Sequence, residues 1–415
     1  MRLVAAGLSF RTAPLAVREA AAIPAARAAT TLRYLVGHAG LHGAAVLSTC
    51  NRTDFYVVCP DGLSAEVTPR LARYLDPGGT RDLERHMITL EDREAAMHMF
   101  RVASGLESMV IGEAQVLGQF KAAHRVAKDA GTVDARLDYV MRRAISTAKR
   151  VRTDTSLGRG ATSLSEVAVE CARASCGDLD GKGVLLVGAG KMSRLAANRL
   201  HDQGARIMTT SRGESSRLLA KAVGAESVAI ADIAHVADRV DVIISSTDSA
   251  TAVFDVAAIA EMQRRREGRP LCIVDMAVPR DVDAAAAKLP GVTLIDIDEL
   301  GRRAGARLDQ RREIVPAAEK IIATELDKTV TVIGQRDTAG PTIAALVDWA
   351  ETLRAREVDR TFGGGREIDD ETRARVDTLT RSMVRKLLHG PVTRLREAED
   401  PATALAIREA FRLDR

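Results

Sequence analysis

A thiol, an amide and a guanidinium stand together at Thr49-Cys50-Asn51-Arg52, a polar notch inside "VLSTCNRTDFYVV". Polar neighbours and a cation two residues on favour thiolate, the form of cysteine that attacks electrophiles. Cys59 and Cys272 lie inside apolar strand-like runs and Cys171 and Cys176 on a helical one, so these four read as small buried hydrophobes. A second chemical element is "GVLLVGAGKMSRLAANRL", with Gly188, Gly190 and Ser193 at the three positions of a G-x-G-x-x-G fingerprint. There the turn residues Ala189, Lys191 and Met192 open a helix whose free N–H groups and dipole suit a pyrophosphate. About 20 residues on, a second strand ends in Thr210-Ser211-Arg212. A hydroxyl and a guanidinium in place of a carboxylate suit a ribose 2′-phosphate, which selects NADPH. The third stretch is "RVASGLESMVIGEAQVLGQFKAA". If it is largely helical, Ser104, Ser108 and Gly112 stack at spacing four, and Ser108, Gln115 and Gln119 share a stripe that a ligand can approach.

These residues need elements to position them. Val46-Leu47 and Phe55-Tyr56-Val57-Val58 read as strands around the cysteine, with Ser48 to Thr53 as their connecting loop. A first strand is expected over Leu3 to Leu8, one helix after Pro14, another near Ser64 to Tyr74, a strand near Met87 to Leu90, and long helices from Glu91 and from Leu137. In the last of these, Leu137, Val140, Met141, Ala144, Ile145, Ala148 and Val151 form an apolar stripe opposite Arg142, Arg143, Lys149 and Arg150. "RTDTSLGRGATSLS" marks a boundary. Beyond it the strands "GVLLVG", "ARIMTT", "VDVIISST", "LCIVDMAV" and "VTLIDI" alternate with helices in a doubly wound α/β pattern. After about Leu300 the chain reads as helix, broken by Gly363-Gly364-Gly365, restarted at Asp369-Asp370 and stopped at Gly390-Pro391. The fold class is thus an α/β multidomain chain. Residues 1–155 form an α+β substrate domain, 156–305 a Rossmann-type domain with a leading linker helix, and 306–415 a helical domain suited to dimerisation.

At 415 residues, two or three domains are expected. A net charge of +4 is too mild to name nucleic acid as a partner by itself. Five cysteines without disulfide or zinc spacing suit reduced thiols in the cytoplasm, and no metal site is read. The opening "MRLVAAGLSFRTAPLAVREA" reads as strand and helix, with no signal peptide, and no run is long enough to cross a membrane.

"LSTCNRTDFY", "FRVASGLESMVIGEAQVLGQFKAA", "AKRVRTDT", "VLLVGAGKM" and "VDMAVPRDVD" resemble, in order and spacing, the signature segments of the glutamyl-tRNA reductases. The likeness runs from Met1 to about Thr324 and returns in "MVRKLLHGP". It implies NADPH-dependent reduction of glutamyl-tRNA to glutamate-1-semialdehyde, the first step of the five-carbon tetrapyrrole pathway, through a thioester on Cys50. It further implies that Thr49, Asn51 and Arg52 hold substrate, Arg52 on the glutamate carboxylate, and that Ser108, Glu113, Gln115 and Gln119 are further contacts, with Ala114 among them. His98 matches a histidine needed for activity, as acid–base or positioning group. Ala114 stands where the family usually has proline, and "TVIGQRDTAGP" departs from its usual aromatic-rich stretch, which bears on tRNA fit and dimer geometry. The implied partners are glutamyl-tRNA, a second copy of the chain and glutamate-1-semialdehyde aminomutase. Arg142, Arg143, Lys149 and Arg150 read either as phosphate contacts or as a solvated charged face. The rival class is a non-catalytic or secondary-pathway relative that binds aminoacyl-tRNA. An intact Cys50, His98 and glycine loop weigh against it.

Overall fold

Runs of Val, Ala, Leu and Phe build the first sheet from β1 (Arg2–Ser9), β2 (Gly43–Ser48), β3 (Arg52–Cys59) and β4 (Ile88–Glu91). It is antiparallel, in the order β2-β3-β1-β4. Around it lie α1 (Leu15–Ala21), α2 (Ala25–His38), α3 (Ser64–Leu75), α4 (Leu83–His86), α5 (Asp92–Ser104), α6 (Ala114–Asp129) and α7 (Ala135–Asp154). In this computed structural model residues 1–158, 163–211, 214–249, 251–305, 314–362, 369–397 and 401–413 are described. The single helix expected after Pro14 is two, because Ala22 is extended and Pro24 restarts the chain. The stripe of α7 is buried as expected, apart from the half-buried Ile145.

A capping box of Ser163 and Glu166 starts α8 (Leu164–Cys176), which leads into the second sheet. Its strands are β5 (Gly183–Val187), β6 (Arg206–Thr210), β7 (Glu226–Ser227), β8 (Val242–Ser245), β9 (Leu271–Asp275) and β10 (Val292–Ile295). They run parallel in the order β10-β9-β8-β5-β6-β7. Helices α9 (Lys191–His201), α10 (Ser215–Val223), α11 (Val256–Arg265) and α12 (Ile297–Gly305) accompany the sheet. The strand order reverses at β5, so the crevice beyond its carboxyl end is where such a sheet binds ligands. Leu15, Met109 and Val110 of the first domain join Val184, Leu186, Val274 and Leu300 of the second in one buried apolar cluster. The two domains therefore share a core within one compact unit, Met1–Thr324.

The second unit, Glu325–Arg415, draws on α13 (Val315–Phe362), α14 (Asp370–Glu397) and α15 (Pro401–Phe411). Asp369 caps α14 as expected, its carboxylate accepting from the Thr372 N–H at 2.8 Å. The stop expected at Gly390-Pro391 is absent, and α14 runs through Pro391. The hydrogen bond lost to proline is offset by packing, since Val392 and Leu395 beyond it join the cluster of Leu346, Ala350, Leu388 and Ala404. The glycine run 363–365 lies outside the described residues. Among the described residues no helix is long and apolar enough to cross a membrane.

Candidate active site

Ser48 pairs with Thr53, so the turn between β2 and β3 is tighter than the sequence suggests, with Thr49, Cys50 and Asn51 at its tip. Thr49 donates its N–H to the Arg52 carbonyl at 2.8 Å, and Asn51 donates its own to Thr49 Oγ1 at 3.2 Å. Arg18 of α1 donates Nη1 to the Cys50 carbonyl at 2.8 Å. The half-buried Cys50 packs on the same cluster as Ala189 and Met192 of the glycine loop. The expected thiolate character is corrected here: burial first, and then the Glu113 carboxylate, push the thiol up to about 12 against the pull of Arg18. Arg52, the cation that the sequence offered, is spent elsewhere.

Arg52, Asp54 and Tyr56 alternate onto one face of β3, and all three are buried. Arg52 Nη1 donates to Asp54 Oδ2 at 2.9 Å, and Nη2 donates to the Glu107 carbonyl. His98 of α5 approaches the same Oδ2 through Nε2 at 3.1 Å, and the Tyr56 hydroxyl donates to it at 3.3 Å. Burial alone would raise the pKa of Asp54, but Arg52 and His98 outweigh it and hold the carboxyl down at about 2. His98 thus sits in a charged cluster behind the turn. Asp54, which anchors the cluster, escaped the sequence reading because only the β3 pleat and α5 bring it to His98.

The stretch expected to be one helix is broken. Gly105 caps α5 with φ 81°, turns follow, and Glu113 caps α6. Ser104, Ser108 and Gly112 therefore do not stack on a helix. Ser108 is buried within the turns, and Gln119 is exposed on α6. Ala114 is the first residue of α6. Gly112 has φ 82°, and a Cβ there would lie 2.2 Å from the Leu157 carbonyl oxygen, so glycine is required. Next to it, the Glu113 carbonyl accepts from Arg152 Nη2 at 2.6 Å, and burial raises the pKa of its carboxyl against Lys191 and Arg152. Gln115 donates Nε2 to Met192 Sδ at 2.7 Å, joining substrate domain to glycine loop. Arg18 and Arg152 were also missed. Only their position in space distinguishes them from other helix arginines.

At the end of β5, Gly188 has φ 99°, and a Cβ there would meet the Ser246 carbonyl oxygen at 2.8 Å. Gly190 caps α9 without a side-chain partner for the first N–H groups, and Lys191 opens the helix. Ser193 is buried, its hydroxyl 2.8 Å from that of Ser246, which permits close packing of helix on strand. The hydroxyls of Thr210 and Ser211 are buried at the end of β6 with no hydrogen-bond partner. Open N–H groups and orphaned hydroxyls at those two places fit a dinucleotide's pyrophosphate and ribose. Arg212 lies outside the described residues.

A doubly wound dinucleotide domain sharing its core with a thiol-bearing domain defines an enzyme of the oxidoreductase class. Residues 6–155 match the family model for the glutamyl-tRNA(Glu) reductase N-terminal domain, 170–302 that for shikimate/quinate 5-dehydrogenase, and 317–413 that for the glutamyl-tRNA(Glu) reductase dimerisation domain. Glutamyl-tRNA reductase 2 of Koribacter versatilis is 36% identical, with 98% of this chain and 93% of that one covered. Glutamyl-tRNA reductase of Moorella thermoacetica is 38% identical, covering 96% and 91%. The solved structure of glutamyl-tRNA reductase from Methanopyrus kandleri aligns with TM-score 0.51 and 31% identity, over 100% of this chain and 99% of that one. The chain belongs to the glutamyl-tRNA reductase family.

Proposed function

We propose that this protein reduces glutamyl-tRNA to glutamate-1-semialdehyde with NADPH, by way of a glutamyl thioester on Cys50. The observation that carries the reading is that Cys50 of the turn and Ala189 and Met192 of the glycine loop pack on one and the same buried core. A free carboxylate is anionic and resists hydride, whereas the tRNA ester is electrophilic. The Cys50 sulfur adds to the ester carbonyl carbon, the tRNA 3′-oxygen departs with a proton, and a thioester remains. NADPH, when bound, would supply the hydride that turns such a thioester into an aldehyde, and the Cys50 sulfur, leaving as thiolate, takes up one proton to return to its starting form. Because burial and Glu113 keep the free thiol protonated, the proton must leave as substrate engages. Glu113, with its raised pKa, stands close enough to be coupled to that event.

The buried Oδ1 of Asn51 has no partner and suits the α-ammonium of the glutamyl group. Arg52 keeps N–H groups beyond those given to Asp54 and Glu107, which suits the glutamate carboxylate. Thr49, Ser108, Gln115 and Gln119 offer hydroxyl and amide groups suited to further substrate contacts. His98 acts through Asp54 on the conformation of Arg52. Thr210, Ser211 and Arg212 suit the 2′-phosphate and favour NADPH over NADH. Arg142, Lys149 and Arg150, exposed on α7, suit tRNA phosphates, whereas Arg143 is half-buried, and the second unit suits a homodimer.

The test uses purified protein, glutamyl-tRNA and NADPH, with the aldehyde trapped and counted. Cys50→Ser should lower aldehyde formation by at least about 100-fold while leaving tRNA binding intact, because a hydroxyl is far less nucleophilic than a thiol. A serine variant that kept more than a few per cent of the activity would refute the covalent route.

A further inference from the structure

Two neighbouring side chains of α1 cross from the thiol domain to the dinucleotide domain. Glu19 Oε1 accepts from the Arg280 backbone N–H and from its Nε, both at 2.8 Å, while Oε2 accepts from Nη2 at 2.7 Å. This three-bond pair is largely shielded, with the two side chains 17% and 27% exposed. Arg18, buried at 2%, holds the Cys50 carbonyl through Nη1 and pairs through Nη2 with Asp298 on α12. The segment that presents Arg280 is itself stiffly held. Asp275 accepts from Ser245 Oγ at 2.9 Å and from the N–H groups of Ala277 and Val282 at 3.0 Å. Asp281 accepts from the Thr247 N–H at 2.9 Å and from its hydroxyl. Residues 276–282 are thus tied at both ends to the carboxyl edge of β8 and β9, beside the binding crevice.

We propose that Glu19 and Arg280 are positioning residues whose pair fixes the dinucleotide domain against the Cys50 turn for hydride delivery. Arg18 carries the same registration to the backbone of the nucleophile. The proposal rests on the reductase reading but concerns its second half only. Thioester formation needs the thiol domain and substrate, whereas hydride transfer needs two domains in one register, and small misplacements there cost large factors in rate. A shielded, charge-assisted pair reaching backbone as well as side chain is strong enough to hold such a register.

The experiment compares full-length wild type with Glu19→Gln, Arg280→Gln and the double variant. One readout is single-turnover release of tRNA from glutamyl-tRNA without NADPH, and the other is aldehyde formation with NADPH. Each single variant should keep tRNA release within about twofold and lose aldehyde formation about tenfold, the size expected for one charged hydrogen-bonded pair. The double variant should be no slower than the slower single one, because a broken pair cannot be broken twice. Parallel loss of tRNA release, multiplied losses in the double variant, or unchanged aldehyde formation would each overturn the proposal. A wild type that releases tRNA but forms no aldehyde would instead sink the reductase reading itself.

Discussion

The hydrogen bond with Cys272 favours the thiolate of Cys176 and lowers its pKa, whereas burial and Glu113 push that of Cys50 up to about 12. Acidity alone would choose Cys176. Position favours Cys50 as the proposed nucleophile, because Cys272 is the second residue of β9 and so places that thiol pair near the amino edge of the sheet, away from the crevice. At pH 7 iodoacetamide should therefore label Cys176 well before Cys50, and peptide mapping would count both. Glu113→Gln removes a negative charge that disfavours thiolate and should speed labelling of Cys50 about tenfold. The polar notch was legible in the sequence. Its acidity was not, since burial decides it first, the charges that follow, Glu113 and Arg18, come from remote parts of the chain, and Arg52 is paired with Asp54. Asp54 gives a second test. Its folded pKa of about 2 lies below the ordinary 3.8, so its stabilisation is complete above about pH 4 and lost as pH falls toward 2. That stabilisation amounts to about 2 kcal/mol. Asp54→Asn should flatten this acid limb in melting curves taken against pH. It should also lower stability at neutral pH, where Arg52 is left buried without its counter-charge.

At the scale of elements, the turns between α5 and α6 bring Glu113 to the thiol and Gln115 to Met192. Gly112→Ala should cost about 1–3 kcal/mol of stability, because a Cβ at φ 82° must move the Leu157 carbonyl or the turn. Aldehyde formation should fall further than stability explains, since Glu113 is the next residue. Melting temperature and rate, measured on one preparation, would separate the two effects. Strands, their alternation with helices in a doubly wound pattern and α7 were legible because strand and helix patterns are local properties of the chain. The break at Gly105 and Gly112 was signalled by glycine, but the spacing of four between Ser104, Ser108 and Gly112 suited one helix. The passage of α14 through Pro391 was hidden for the opposite reason, since packing by Val392 and Leu395 overrides a strong local signal.

For the whole molecule, three domains could be inferred from changes in pattern, while the joining of the first two into one core could not. That union depends on Leu15, Met109 and Val110 pointing outward from their own domain. In the second unit Leu379, Met383 and Leu387 are 59%, 53% and 72% exposed, and Trp349, Leu353, Met383 and Leu387 help to line a largely apolar groove of about 580 Å³. Such a face calls for a partner, and a second copy of the chain is the partner that the dimerisation-domain match supports. Leu387→Asp should convert dimer to monomer in sedimentation at micromolar concentration. An unchanged dimer would place the interface elsewhere.

The same unit holds Trp349, the only tryptophan of the chain, edge-to-face with Phe411 at a centroid distance of 5.2 Å. All four tyrosines, Tyr34, Tyr56, Tyr74 and Tyr139, fall in Met1–Thr324. The protein therefore carries a different reporter in each unit. Indole emission, excited at the red edge where phenol does not absorb, follows the helical unit alone. Absorbance, which both rings share, adds the catalytic unit, so a transition seen in absorbance but not in emission belongs to the catalytic unit. A denaturant titration read in both channels would reveal directly whether the two units unfold together or in turn.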